Sequence, residues 1–222
     1  MNYEIRNKPS FATIFVTLNP GESLVAEAGA MASMDVGLTI TTEFSGGFFS
    51  ALLRKFFGGE SLFVNVFRNT SQKPQQVVLT QASPGDITCI TLRGNAICFQ
   101  PGAYIASSRG VKMGVGWAGF SSFFAGEGLF RLKVSGDGIV FFGCYGGLTK
   151  YRVDGQFVVD SEHLVAYEPG LKLNIGLAGG LIGSITSGEG LVNRITGHGD
   201  IYLQSRSIGG LVKFLTPKCY FR

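Results

Sequence analysis

The chain has 222 residues, 45% of them apolar, with 33 glycines and 19 phenylalanines but only 15% charged residues, against a usual quarter or so. That length buries roughly 70–75% of the unfolded surface, and the mix favours many short strands and tight turns, with part of the surface covered by other copies of the chain. The net charge of +4 comes from scattered Lys and Arg, not from the basic stripe of a nucleic-acid binder, and no apolar run reaches the ~18 residues of a membrane span.

The opening MNYEIRNKPS has neither an apolar core segment nor a small-residue cleavage site, so no secretory leader is expected. Without one, Cys89, Cys98, Cys144 and Cys219 read as free thiols in a reducing, cytoplasmic setting. None forms a Cys-x-x-Cys pair. Next come "TIFVTL", "NPGES" and "LVAEAGAM", a β-branched run, a turn and a second run; the spacing predicts a hairpin. Two further hairpins are predicted where "ITCITL", "RGN" and "AICFQPGAY" follow one another, and where "QFVVD", "SEH" and "LVAYEPGLK" do.

After the first hairpin lies "SGGFFSALLRKFFGGE". Phe49, Leu52, Leu53 and Phe56 fall at i, i+3, i+4 and i+7, one face of a short helix. Arg54 and Lys55 lie opposite, and Phe48 widens the apolar face. The matching segments further on are "GVGWAGFSSFFAGE", with Trp117 and Phe120, and "GLAGGLIGSITSGE", with Leu181 and Ile182. Such segments serve as a docking surface for a membrane or a protein partner, or else pack against the body and neighbouring copies. Gly114, Gly116 and Gly119 match Gly-x-Gly-x-x-Gly, but a dinucleotide site needs a βαβ context that these β-rich surroundings lack.

Each segment ends in one motif: "GGESLF", "AGEGLF" and "SGEGLV", with Glu60, Glu127 and Glu189. Glycine admits positive φ where a loop re-enters a strand. Each glutamate either satisfies loop N–H groups at a repeat junction or faces a common axis, where three carboxylates suit a cation or an amine. Downstream, "VSGDGIVFF" and "ITGHGDIYL" read as closing hairpins. The recurrence divides one module, residues 1–222, into three repeats at about 1–82, 83–152 and 153–222. The signatures lie 33, 27 and 21 residues apart, which predicts loops that shorten along the chain. His163 and His198 read as surface-turn residues. No nucleophile elbow or phosphate loop occurs, so neither an enzyme nor a metal or organic cofactor is expected.

The triple "GESLF"-like motif, with "EAGAM" and "FQPGA", resembles the altered-inheritance-of-mitochondria family of TRAP-like proteins, TRAP being the tryptophan RNA-binding attenuation protein. The resemblance spans essentially the whole chain. It implies an all-β fold: a shortened double-stranded β-helix or jelly-roll-like sandwich, in three repeats with pseudo-threefold symmetry. It also implies a homotrimer closing a ring of nine units. Bacterial and archaeal members are largely of unknown function, and mitochondrial ones are associated with the inner membrane. The attenuation protein binds tryptophan between subunits and RNA around its rim. Its Lys and Arg pattern is not found here, so no residue is carried over and nucleic acid is the less favoured partner. The expected protein is a non-enzymatic ring, a scaffold or docking module peripheral to a membrane. The alternative is a ring that binds a small ligand or RNA.

Overall fold

A computed structural model of the chain describes residues 1–44, 63–117, 130–177 and 191–219. Fifteen strands are found there: β1 (Asn2–Arg6), β2 (Thr13–Leu18), β3 (Ser23–Glu27), β4 (Met31–Met34), β5 (Leu38–Phe44), β6 (Phe63–Asn69), β7 (Gln75–Leu79), β8 (Ile87–Phe99), β9 (Tyr104–Ser108), β10 (Val111–Trp117), β11 (Phe130–Gly143), β12 (Leu148–Asp160), β13 (Leu164–Tyr167), β14 (Lys172–Leu177) and β15 (Leu191–Gln204). A 3-10 turn, Ser161–His163, precedes β13, and one α-helix, α1 (Ile208–Leu215), follows β15. The ladders are antiparallel, as expected for an all-β chain.

Alternation sets the faces. In β2 the side chains of Ile14, Val16 and Leu18 are buried while Thr13, Phe15 and Thr17 are less so, and in β3 Leu24 and Ala26 turn inward. Period-two patterning with one apolar face is what a half-buried strand requires.

The hairpin expectation is corrected. β2 and β3 do not pair with each other; β2 pairs with β7 and β3 with β6. Residues 87–99 form one strand through "RGN", laid along β11 from Ile87↔Gly143 to Phe99↔Leu132. β12 and β15 likewise pair end to end, so "VSGDGIVFF" and "ITGHGDIYL" are also uninterrupted. Gly94 on one strand and Gly136 on the other take positive φ, 72° and 108°, and the register shifts between Ser135 and Asp137. The glycines bend a long ribbon rather than reverse it. Cys89 and Cys98 therefore lie along one strand, opposite Phe141 and Lys133, and do not face each other.

The same pairing occurs in each third of the chain. Residues of β4, β9 and β13 pair with β7, β11 and β15, and each pairing skips one residue: Ala32, Ile105 and Val165. β9 is then covered by β3 through Ala26↔Ala106 and Val25↔Ser107. β13 is covered by β8 through Ala166↔Phe99 and Tyr167↔Cys98. No ladder covers β4 among the described residues, and its four residues are exposed, whereas Ile105 and Val165 are 1% and 2% exposed. All three apolar clusters cross these joints. Ile87, Ile105 and Phe141 complete the first, and Val165, Ala166 and Tyr202 the second. The third joins Cys98 of β8 to Val153, Leu164, Tyr167, Ile195 and Ile201, with Phe157 and Val159 half-buried at its rim.

The signature spacing is corrected as well. Gly29 and Gly102 lie in the β3–β4 and β8–β9 turns, but Gly170 lies in the β13–β14 turn, one strand later. The 21-residue interval thus measures a different stretch, and the connections before β6, β11 and β15 are residues 45–62, 118–129 and 178–190.

On the third ribbon Lys150 Nζ lies 2.7 Å from one oxygen of Asp200 and Arg152 donates to the other at 3.0 Å. The lysine contact, then the arginine, holds the Asp200 carboxyl below its ordinary 3.8. A depressed folded value stabilises fully above the ordinary one and is lost as pH falls through the folded one. Asp200→Asn is therefore expected to cost about 0.5–1 kcal/mol at pH 7, after solvent screening, and nothing once Asp200 is protonated. Urea midpoints of both proteins across pH 7 to 2 measure this convergence.

Candidate functional site

The turns meet the ends of later strands. Residues 27–30, 100–103, 161, 162, 164 and 165 line a pocket of about 820 Å³, together with the ends of β7, β11 and β15 and the first turn of α1. The register explains the convergence: Met31 lies opposite Leu79, Tyr104 opposite Phe142 and Leu164 opposite Leu203. The turns that leave β3, β8 and β12 therefore come down beside the ends of β7, β11 and β15. Glycine is needed at two of these turns, where Gly29 and Gly102 take φ of 90° and 78°.

Glutamine side chains hold the pocket wall by bonding backbone groups that the strands leave behind. Gln81 donates from Nε2 to the Cys144 carbonyl at 2.8 Å. Gln204 accepts from the Tyr145 N–H at 3.0 Å and donates to the Glu162 carbonyl at 2.7 Å. Asp160 caps the 3-10 turn by accepting from the Glu162 N–H at 2.8 Å, and His163 Nδ1 lies 2.7 Å from the Gln204 carbonyl oxygen. Gln100 differs. Its Nε2 is buried with no hydrogen-bond partner among the described residues, a donor whose desolvation is uncompensated.

Burial pushes the Cys144 thiol up to about 11, so it is protonated at neutral pH and is a poor nucleophile. Beneath it Tyr104 is raised further, again by burial, and shares a 2.9 Å hydrogen bond with Ser107. Two carboxylates, Glu27 and Glu162, line the wall. A methyl at Gly209 of α1 would lie 2.3 Å from Glu162 Oε1, so that carboxylate packs on the helix's first turn, where the backbone dipole favours an anion.

The residues singled out from sequence stand mostly apart from this wall. Glu60, Glu127 and Glu189 lie outside the described residues, as do Phe48, Phe49, Leu52, Leu53, Arg54, Lys55, Phe120, Leu181 and Ile182 and the helix expected around them. Trp117 ends β10, where it pairs with Phe130. The three connections leave from equivalent places, the Phe44↔Phe63, Trp117↔Phe130 and Leu177↔Leu191 pairs. His198 lies on the ribbon surface, 2.6 Å from Asp154.

Sequence reasoning missed Gln81, Gln100 and Gln204, because a wall glutamine looks like any polar residue after a strand. It also missed α1. Ser207 accepts a hydrogen bond from the Gly210 N–H at 2.9 Å, a helix start that was legible. The adjacent glycines Gly209 and Gly210 hid it, each costing about 1 kcal/mol of helix propensity.

Three comparisons bear on this architecture. A solved crystal structure of a Streptococcus pyogenes protein, a structural-genomics target, matches with a TM-score of 0.79 at 26% identity, covering 98% of this chain and 99% of that one. A protein of Streptococcus pyogenes serotype M6, described as uncharacterised, is 28% identical over 217 residues, 94% of this chain and 87% of the relative. The family model described as mitochondrial biogenesis AIM24 matches residues 3–206. No helix among the described residues is long and apolar enough to cross a membrane. With the match running from β1 to the end of β15, the chain belongs to the mitochondrial biogenesis AIM24 family.

Proposed function

We propose that the chain is a non-enzymatic scaffold of three repeats whose copies join head to tail, β4 of one against β12 of the next, into a ring. One observation carries this reading. β9 and β13 are buried by β3 and β8 of the preceding unit, while β4, with the same bulge and the same inner partner, is exposed. The strand equivalent to β3 and β8 in the last unit is residues 156–160 of β12, which pairs with β15 on one edge only. Unpaired edges invite strand addition. Repeating the Ala166↔Phe99 and Tyr167↔Cys98 register places Ser33 opposite Val159 and Met34 opposite Val158 of the next copy. The three shared bulges support the division into repeats. Closure by three copies, nine units in all, follows the resemblance to the attenuation-protein ring.

The connections 45–62, 118–129 and 178–190 leave from one end of these units, which supports their use as a docking surface for a membrane or a protein partner. The test of the joint is a cysteine pair. Met34→Cys with Val158→Cys is expected to give intermolecular disulfides on mild oxidation, up to a covalent closed ring, while each single variant stays monomeric under denaturing conditions. A double variant that cross-links only within one chain, or not at all, overturns the joint. A second reading rests on the unpartnered Gln100 donor: the 820 Å³ pocket takes a small ligand bearing a hydrogen-bond acceptor.

A further inference from the structure

We propose that α1 is a docking element for an anionic lipid surface, a role separate from the β4–β12 joint and standing whether or not that joint forms. In α1, Ile208, Leu211, Val212 and Leu215 fall at i, i+3, i+4 and i+7, one continuous apolar face. A helix with such a face ordinarily buries it. Here no residue of α1 is buried, and these four with Phe214 are 38–61% exposed. The helix stands on the last turn of β15 through Ser207, which caps it, and Ile208 and Gly209 reach the pocket rim. The rest projects from the body.

Charge says what covers the face. From residue 201 to the end the chain carries Arg206, Lys213, Lys218 and Arg222 and no Asp or Glu, a local charge equal to that of the whole chain. Lys213 lies on the side of the helix away from the apolar stripe. Lys218 folds back, its Nζ 2.9 Å from the Phe214 carbonyl oxygen and 3.7 Å from the centre of the Phe214 ring. Apolar side chains entering the acyl boundary, with basic groups held at headgroup level, are the features of a helix that lies in a membrane interface. A second copy of this chain would offer a face carrying few charges to match a uniformly basic segment; an anionic bilayer matches it throughout. The family match ends at residue 206, before α1 begins, so this element is additional to the matched β body.

The experiment is co-sedimentation of the full chain with phosphatidylcholine vesicles made with and without phosphatidylglycerol, at low and high salt. Binding is expected to the anionic vesicles only, and to weaken with salt. Lys213→Glu with Lys218→Glu is expected to weaken it about tenfold or more, as is Leu211→Ser with Phe214→Ser. Both double variants should keep the copy number and unfolding midpoint of the parent, since their side chains are exposed. Failure of the parent to bind anionic vesicles overturns the proposal, as does wild-type binding by both variants. A drop in copy number in Leu211→Ser/Phe214→Ser would also overturn it, by showing that another copy covers the helix. Copy number and vesicle binding are separate readouts, so failure of the ring and failure of this docking element are told apart.

Discussion

Gly85→Ala is expected to destabilise the protein by about 3 kcal/mol or more, a loss of the size reserved for overpacking against rigid backbone. A Cβ at residue 85 would lie 1.9 Å from the Cys144 carbonyl oxygen and 2.8 Å from the Gly146 N. Neither atom can move alone. Residue 85 bridges Gly146 in parallel, its carbonyl accepts the Ala12 N–H at 3.0 Å, and the flanking Asp86 and Pro84 exchange bonds with Gly146 at 2.8 and 3.0 Å. Asp86 also accepts from the Cys144 N–H at 3.1 Å. Three segments distant in sequence meet at this point, so a methyl group there separates the first ribbon from the second. Gly170→Ala is the control, since its Cβ would meet nothing within 4 Å; a change within about 0.5 kcal/mol is expected. Urea unfolding of both variants decides. A loss under about 1 kcal/mol in Gly85→Ala would show that the clasp yields.

The second large effect concerns assembly rather than stability. Val158→Lys puts a charge on a residue 55% exposed in the single chain, so the chain should fold as before. In the proposed ring, Val158 lies against Met34 of the neighbouring copy. A lysine on such an edge is the substitution by which natural sheets block strand addition. Each chain contributes one such joint, so a single substitution weakens every joint in the ring at once. The expected result is a shift to monomer at micromolar concentration, with the unfolding midpoint of an isolated chain unchanged. Met34→Lys should act alike. Combining Val158→Lys with Met34→Glu should restore assembly, because opposite charges directly across a strand pair attract. Retention of the full assembly by both single lysine variants would place the contact elsewhere.

Much of the architecture was legible from residue pattern. Alternation in "TIFVTL" gives Ile14, Val16 and Leu18 as the inward set, and they are buried. The strands β6, β11 and β15 begin shortly after the three Gly-Glu motifs. What failed was strand direction at glycine. A β-branched run, a glycine and another such run describe a hairpin and a bent ribbon equally well. Only pairing partners distinguish them, and those lie far along the chain, 33 residues away for Phe99 and Leu132. The same ambiguity misplaced Gly170, since "EPG" and "QPG" make similar turns between different strands. The pocket was not legible because its wall is made by glutamines bonding backbone, a role set by where strands end rather than by residue type. Helix α1 had a cap and a heptad-like stripe, but Gly209 and Gly210 argued against it locally and nothing in the sequence reveals that its apolar face lies open.

The edges of β4 and β12 carry the account, and the copy number of the intact protein tests them most directly. A native mass spectrum of gently purified protein is expected to show a trimer at near-physiological salt, with Val158→Lys shifting it to monomer. A reproducible small added mass on each chain would identify the occupant of the Gln100 pocket in the same measurement. A bare monomer at every accessible concentration would contradict the ring and leave the exposure of β4 without a function.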